Sequence, residues 1–227
     1  AGKLDLSQFM RWYSQAGTPI LHVSTEYDRE RKRFVLQIEQ SVPSTPGQST
    51  KKPMHIPLRI ALLGKGGEEL EAPNVAGIEQ TDDVFHLTKT KHRLVFPDIG
   101  TRPVLALNRG FSAPVDVNIR QSENDLAFIA KHETDPFCRW SSLQSLATRV
   151  LMKGMSTAKS GKKLAVNEGF LEIICELASD HNLEPAFRAQ LISLPTEVDL
   201  ANEVGTNVNP EAIAEVITGL SAQMGRV

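Results

Sequence analysis

Cysteine is scarce in this 227-residue chain: Cys138 and Cys175 are the only two. Both fall inside apolar patterns of helical period rather than at loop positions. Such thiols read as buried and reduced, which argues against a disulfide-stapled secreted scaffold and for a cytoplasmic setting. Long apolar runs are missing too; none approaches the ~20 residues that a membrane span needs. The first residues show no basic, apolar, small-residue leader pattern. Neither sign of charge dominates, since 25 Lys and Arg against 27 Asp and Glu leave a net charge of −2. With a sequence pI near 6.3, there is no electrostatic reason to seek nucleic acid or an anionic membrane, and neither is expected as a partner. The chain also starts without Met, within what reads as a helix, so it is expected to be a piece cut from a longer protein.

What is present is a change of period. Before the stretch Leu107 to Trp140, apolar residues recur at every second position among frequent Pro, Gly and Ser; after it, they recur every third or fourth. A chain of this length can form one large domain or two small ones, and the switch favours two, each large enough to bury a core.

An opening helix is expected over Leu4 to Gln15, where Leu6, Phe9, Met10 and Tyr13 form a stripe, Asp5 is a candidate cap, and Gly17 and Pro19 end it. A helix this short has little stability alone. It should dock on the β module or on a larger neighbouring domain.

Residues 18–120 read as strands. Leu21 and Val23, then Phe34, Leu36 and Ile38, make a hairpin with its tip at Tyr27 to Lys32. Ser41 to His55, rich in Pro, Ser and Thr, reads as an exposed loop. Ile56, Leu58, Ile60 and Leu62 alternate, with Pro57 tolerable only at a strand start or edge. Further strands are expected at Val84 to Thr88, His92 to Phe96, Val104 to Leu107 and Val115 to Ile119. About seven short strands imply an antiparallel, immunoglobulin-like sandwich, without the Cys-Trp-Cys core of antibody domains.

Residues 121–227 read as helices. Ser122 caps the first, and Asp135 with Pro136 starts a second, striped by Phe137, Trp140, Leu143, Ala147, Val150 and Leu151. Gly154 to Lys163 reads as a basic polar loop. Phe170, Ile173, Ile174 and Leu177 stripe the next helix, Pro185 opens another, Thr196 and Asp199 form a capping box, and Asn209 with Pro210 starts the last. Short helices with brief loops imply antiparallel pairs stacked as an array. Gly225 to Val227 lacks an array-ending polar cap, which again suggests truncation.

Several strings resemble chemistry. His132-Glu133 opens like the zinc motif H-E-x-x-H, but Pro136 stands where the second ligand belongs, so a polar interhelix link is expected. Gly64-Lys65-Gly66-Gly67 looks like a phosphate cradle, yet no helix follows it, and a hairpin turn is the better reading. Lys159 to Lys163 misses the phosphate-loop spacing from Gly154. His86 and His92 lie on separate strands, and no Ser-His-Asp set can be assembled from neighbours in sequence. No catalytic, substrate-binding or metal-ligating residue is therefore assigned.

Five strings carry more: DLSQFMRWYSQAGTP (Asp5 to Pro19), LNRGFSAPV (Leu107 to Val115), DLAFIAKHETDPFCRW (Asp125 to Trp140), LATRVL (Leu146 to Leu151) and LPTEVDLANEV (Leu194 to Val204). Together, in this order, they resemble the bacterial aminopeptidase N family of gluzincin-type zinc peptidases. The resemblance implies that residues 1–17 end the helix of a catalytic domain lying outside this chain, that residues 18–120 are the family's small immunoglobulin-like sandwich, and that residues 121–227 begin its C-terminal helical superhelix. The family's zinc motif, its G-A-M-E-N segment and its catalytic Tyr match no position here. Zinc is thus implied for the parent protein, none for this chain, and the implied partners are the parent's own catalytic domain and, in the full-length protein, peptides. The parent's zinc would polarise a scissile carbonyl and activate water to release N-terminal residues. This part would supply spacer and enclosing wall, with no turnover and no stoichiometric metal. The alternative is a free-standing interaction module whose helical groove binds a partner protein.

Overall fold

The computed structural model describes residues 5–71, 75–159 and 167–226. It divides into two compact units, Ala1–Ser122 and Glu123–Val227. In the first, a short helix α1 (Arg11–Ser14) precedes strands β1 (Ile20–Asp28), β2 (Arg33–Ser41), β3 (Ile56–Leu63), β4 (Glu79–Thr81), β5 (Val84–Leu87), β6 (Lys91–Phe96), β7 (Val104–Leu107) and β8 (Asp116–Ile119). They form two four-stranded sheets, ordered β6-β2-β1-β8 and β4-β5-β3-β7. The alternation read from the sequence fills the space between them: Leu21, Leu36 and Leu94 from one sheet and Ile56, Leu58 and Leu87 from the other share one core and are fully buried. Each such side chain contributes roughly 1.5–3 kcal/mol by leaving water.

Four expectations for this unit need correction. β4, with the sequence Glu-Gln-Thr, is exposed throughout and so carries no apolar signal. β8 runs parallel to β1, Ile20 opposite Asp116 and Val23 opposite Ile119, so the sandwich is not wholly antiparallel. The hairpin tip is only Arg29 to Lys32: Tyr27 stays in β1, half-buried, its hydroxyl donating to the Ile99 carbonyl at 3.0 Å. The stretch to His55 is not all exposed loop. Ser41 still belongs to β2, and Met54 is 1% exposed, because the buried Gln40 amide accepts from the Met54 N–H at 2.7 Å and donates to the Met54 and Lys89 carbonyls at 2.9 Å each. Pro57 lies one residue into β3, where β7 does not yet pair; that ladder begins at Ile60.

The second unit contains α2 (Glu123–His132), α3 (Pro136–Lys159), α4 (Glu168–Ala178), α5 (Pro185–Leu191), α6 (Glu197–Val204) and α7 (Pro210–Met224). The long α3 packs against α2, α4, α5 and α7, and its Leu143, Ala147, Val150 and Leu151 sit in a common core with Phe170, Ile174, Leu191, Leu200, Ile213 and Val216. Caps start the helices where the sequence places them. Asn167 accepts from the Phe170 N–H at 2.9 Å, Thr196 and Asp199 close a reciprocal box, and Asn209 accepts from the Ala212 N–H at 3.2 Å. The loop expected from Gly154 is instead helix as far as Lys159. Gly154 is buried, and Met155 continues the Leu151 face into the core, which outweighs the ~1 kcal/mol a helical Gly costs. The rest of that expected loop, and Val227, lie outside the described residues. No helix is long and apolar enough to cross a membrane among those described.

Candidate functional site

The polar strings that resemble chemistry are occupied in holding the fold. At the link between α2 and α3, Glu133 is 2% exposed and its Oε1 accepts from the backbone N–H groups of Thr134 at 2.7 Å and Asp135 at 3.0 Å. Asp135 in turn accepts from the Cys138 N–H at 2.8 Å, capping α3 one residue before Pro136. Arg139 is buried beside them and donates from Nε to the Ala130 carbonyl at 2.9 Å. Burial pulls its guanidinium below the usual range, against the fields of Asp180 and Glu133. His132 turns away and stacks on Phe128, ring centres 4.4 Å apart. The arrangement is a helix-to-helix knot, with Glu133 Oε1 held by backbone donors at the link.

The glycine-rich turn after β3 is closed in the same way. Gly67 N–H donates to the Gly64 carbonyl at 3.1 Å, and the Glu68 carboxylate folds back to accept from the Gly66 N–H at 2.8 Å. A side chain at Gly64 would place its Cβ 2.0 Å from Glu68 Oε1, so the space a phosphate would need is filled by the chain's own carboxylate. Of Lys159 to Lys163, only Lys159 lies among the described residues, at the end of α3.

His86 and His92, read as lying on separate strands, do so and have different partners. His92 points inward, and its Nε2 accepts from the N–H groups of Thr88 at 3.0 Å and Lys89 at 2.9 Å, stapling the β5–β6 turn. His86 instead meets His55, Nδ1 to Nε2 at 2.9 Å. The sequence hid this pair because His55 sits at the end of what reads as loop.

The corner carried by LNRGFSAPV is built round Asn108, which is buried and left-handed at φ 58°. Its side chain donates to the Ala113 carbonyl at 3.0 Å and accepts from the Ala113 N–H at 3.0 Å and the Ser112 hydroxyl at 3.1 Å. Asn is one of the few residues that adopts this conformation at small cost while bonding locally.

The opening segment rests on the β module, but not by its apolar stripe. Helix is confined to Arg11–Ser14, preceded by tight three-residue turns. Gln8 donates to the Thr88 carbonyl at 2.6 Å, Trp12 Nε1 to the His55 carbonyl at 2.9 Å and Gln15 to the Lys52 carbonyl at 2.9 Å. The apolar stripe faces outward: Leu6 is 49% exposed, Phe9 43%, Met10 51% and Tyr13 76%. The segment is held by polar bonds to unsatisfied loop carbonyls, leaving an apolar ridge with nothing against it among the described residues.

Similarity to known proteins follows the same two units. Residues 17–120 match the family described as a domain of unknown function (DUF3458) with an Ig-like fold. Residues 123–227 match its companion, a domain of unknown function (DUF3458_C) made of ARM repeats. Aminopeptidase N of Escherichia coli (strain K12) is 34% identical over 221 residues, 97% of this chain and 25% of that protein. Aminopeptidase N of Haemophilus influenzae is 30% identical over 224 residues, 99% of this chain and 25% of that protein. The chain is a homologue of aminopeptidase N across both of its units. It spans about a quarter of the length of these relatives. The solved structure of Legionella pneumophila aminopeptidase A in complex with aspartic acid superposes with a TM-score of 0.77 at 25% identity, over 98% of this chain and 24% of that one. Among the described residues, no group of three or more His, Cys, Asp and Glu could hold a metal ion. Two of the strings that carried the family resemblance, around Asn108 and around Glu133, are the corner and the knot described above.

Proposed function

We propose that this chain is the enclosing, non-catalytic part of a zinc-dependent aminopeptidase that removes N-terminal residues from peptides. The β unit acts as a spacer and the helical unit as a wall that limits entry to peptides able to thread past it. The observation that carries this reading is the end-to-end match: 97% of the chain aligns with 25% of a protein named aminopeptidase N. The zinc and the reacting groups belong to the rest of such a protein, which is also the partner for the exposed ridge of Leu6, Phe9, Met10 and Tyr13. An apolar strip held in place from behind by polar bonds suits docking against a larger domain. Stacked helices suit the wall because their arrays curve into concave surfaces. Cys138, buried, and Cys175, half-buried, form no disulfide, which fits a reducing, cytoplasmic setting.

Reading the frame that encodes this chain tests the proposal. A zinc-binding H-E-x-x-H segment upstream and in frame is the expected result. A start codon at Ala1 with no such segment would leave a free-standing module instead.

A further inference from the structure

Among the described residues, a cluster of titratable side chains that the peptidase reading does not use is on the outer face of the second sheet, where His55 Nε2 lies 2.9 Å from His86 Nδ1 with ring centres 5.1 Å apart. The far nitrogen of His86, Nε2, is 3.1 Å from the Thr81 hydroxyl. Whichever tautomers are present, a single hydrogen sits between the two rings, and Thr81 orients His86 as an outer-shell partner orients a metal-binding imidazole. Two imidazole nitrogens bound about 2.0–2.1 Å from one metal lie roughly 2.9 Å apart at a right angle and roughly 3.4 Å apart at a tetrahedral one. The observed spacing is that of neighbouring corners of a square.

From this geometry we infer that His55 and His86 form a two-imidazole binding site for a divalent transition-metal ion with tetragonal preference, Cu2+ before Ni2+, in which the hydrogen shared by the rings shifts to the outer nitrogen of the ring that carried it and the metal takes its place between the two facing nitrogens. The order follows from the general ranking of divalent ions on nitrogen ligands and from the right-angle spacing, which Zn2+ in tetrahedral form would have to widen. Both rings are only half-buried, so they can turn their lone pairs onto a common point, and water completes the coordination. Glu79 stands opposite His86 in the β4–β5 ladder, and its charge favours a cation at His55. His55 is also the residue whose carbonyl receives Trp12, so a metal here would brace the strand end on which the opening segment rests. The inference departs from the expectation of no stoichiometric metal, and it is independent of the peptidase reading: it stands or falls on this chain alone.

The test is titration of the purified chain with Cu2+, Ni2+ and Zn2+ as the metals alone, by calorimetry and, for Cu2+, by electron paramagnetic resonance. One Cu2+ per chain with two coordinating nitrogens is expected, bound more tightly than Ni2+. His55→Gln and His86→Gln should each weaken binding at least about tenfold, while His22→Gln, at an imidazole on the other sheet that meets the Ser41 hydroxyl, leaves it unchanged. If either variant loses its native circular dichroism, selective paramagnetic broadening of the His55 and His86 ring signals in the unaltered chain decides the matter. Equal affinity in all variants, a one-nitrogen spectrum, or broadening centred on another histidine would overturn the proposal.

Discussion

At Asn108 a single side chain closes a buried corner with three hydrogen bonds while its backbone holds a left-handed conformation. Asn108→Ala should therefore cost about 2–3 kcal/mol of stability, measured by urea unfolding, because buried donors and acceptors lose their partners. His92 is a second such point. Burial, and then the charge of Lys89, holds its imidazole below the usual histidine range. The folded state favours the neutral ring that accepts from Thr88 and Lys89, whereas the unfolded chain takes up a proton near pH 6.5. The stability it contributes is present above that pH and is lost as pH falls from there through the lowered folded value. The melting temperature of the unaltered chain should thus fall more steeply between pH 7 and 5 than that of His92→Gln; parallel curves would show that His92 binds its proton equally well folded and unfolded. Neither role was legible in the sequence. Asn108 looked like one more polar residue in a seam, and His92 like a scattered strand histidine, because hydrogen bonds between a side chain and a turn a few residues away leave no periodic mark.

Elements were legible where periodicity and caps agree, as at Thr196 with Asp199 and at Asp135 with Pro136, and less so where a tertiary contact overrides local preference. Gly154 and the polar residues beyond it read as loop, yet core packing of Met155 carries α3 onward. The opening segment shows the opposite failure. Its apolar period was real, but the carbonyls of residues 52, 53, 55 and 88 captured Gln8, Arg11, Trp12 and Gln15 and turned the stripe outward. An exposed ridge of four large apolar side chains should drive self-association of the isolated chain. Light scattering should show mass rising with concentration, and Leu6→Ser with Phe9→Ser should abolish the rise. A monomer at high concentration in the unaltered chain would count against the ridge being a docking surface.

For the whole molecule, two separate cores were foreseeable from the change of period, and the family from five ordered strings, whereas the pairing of His55 with His86 required the fold. The strings that resemble catalytic motifs end as structural fastenings, with Glu68 filling the glycine turn and Glu133 tying two helices. This use of the polar groups supports the proposal that the chain encloses a reaction rather than performing it. The most direct measurement is release of p-nitroaniline from alanyl-p-nitroanilide by the purified chain, with and without added zinc. No release above that of a mock preparation is predicted; zinc-dependent release that co-migrates with the chain through purification would contradict the account.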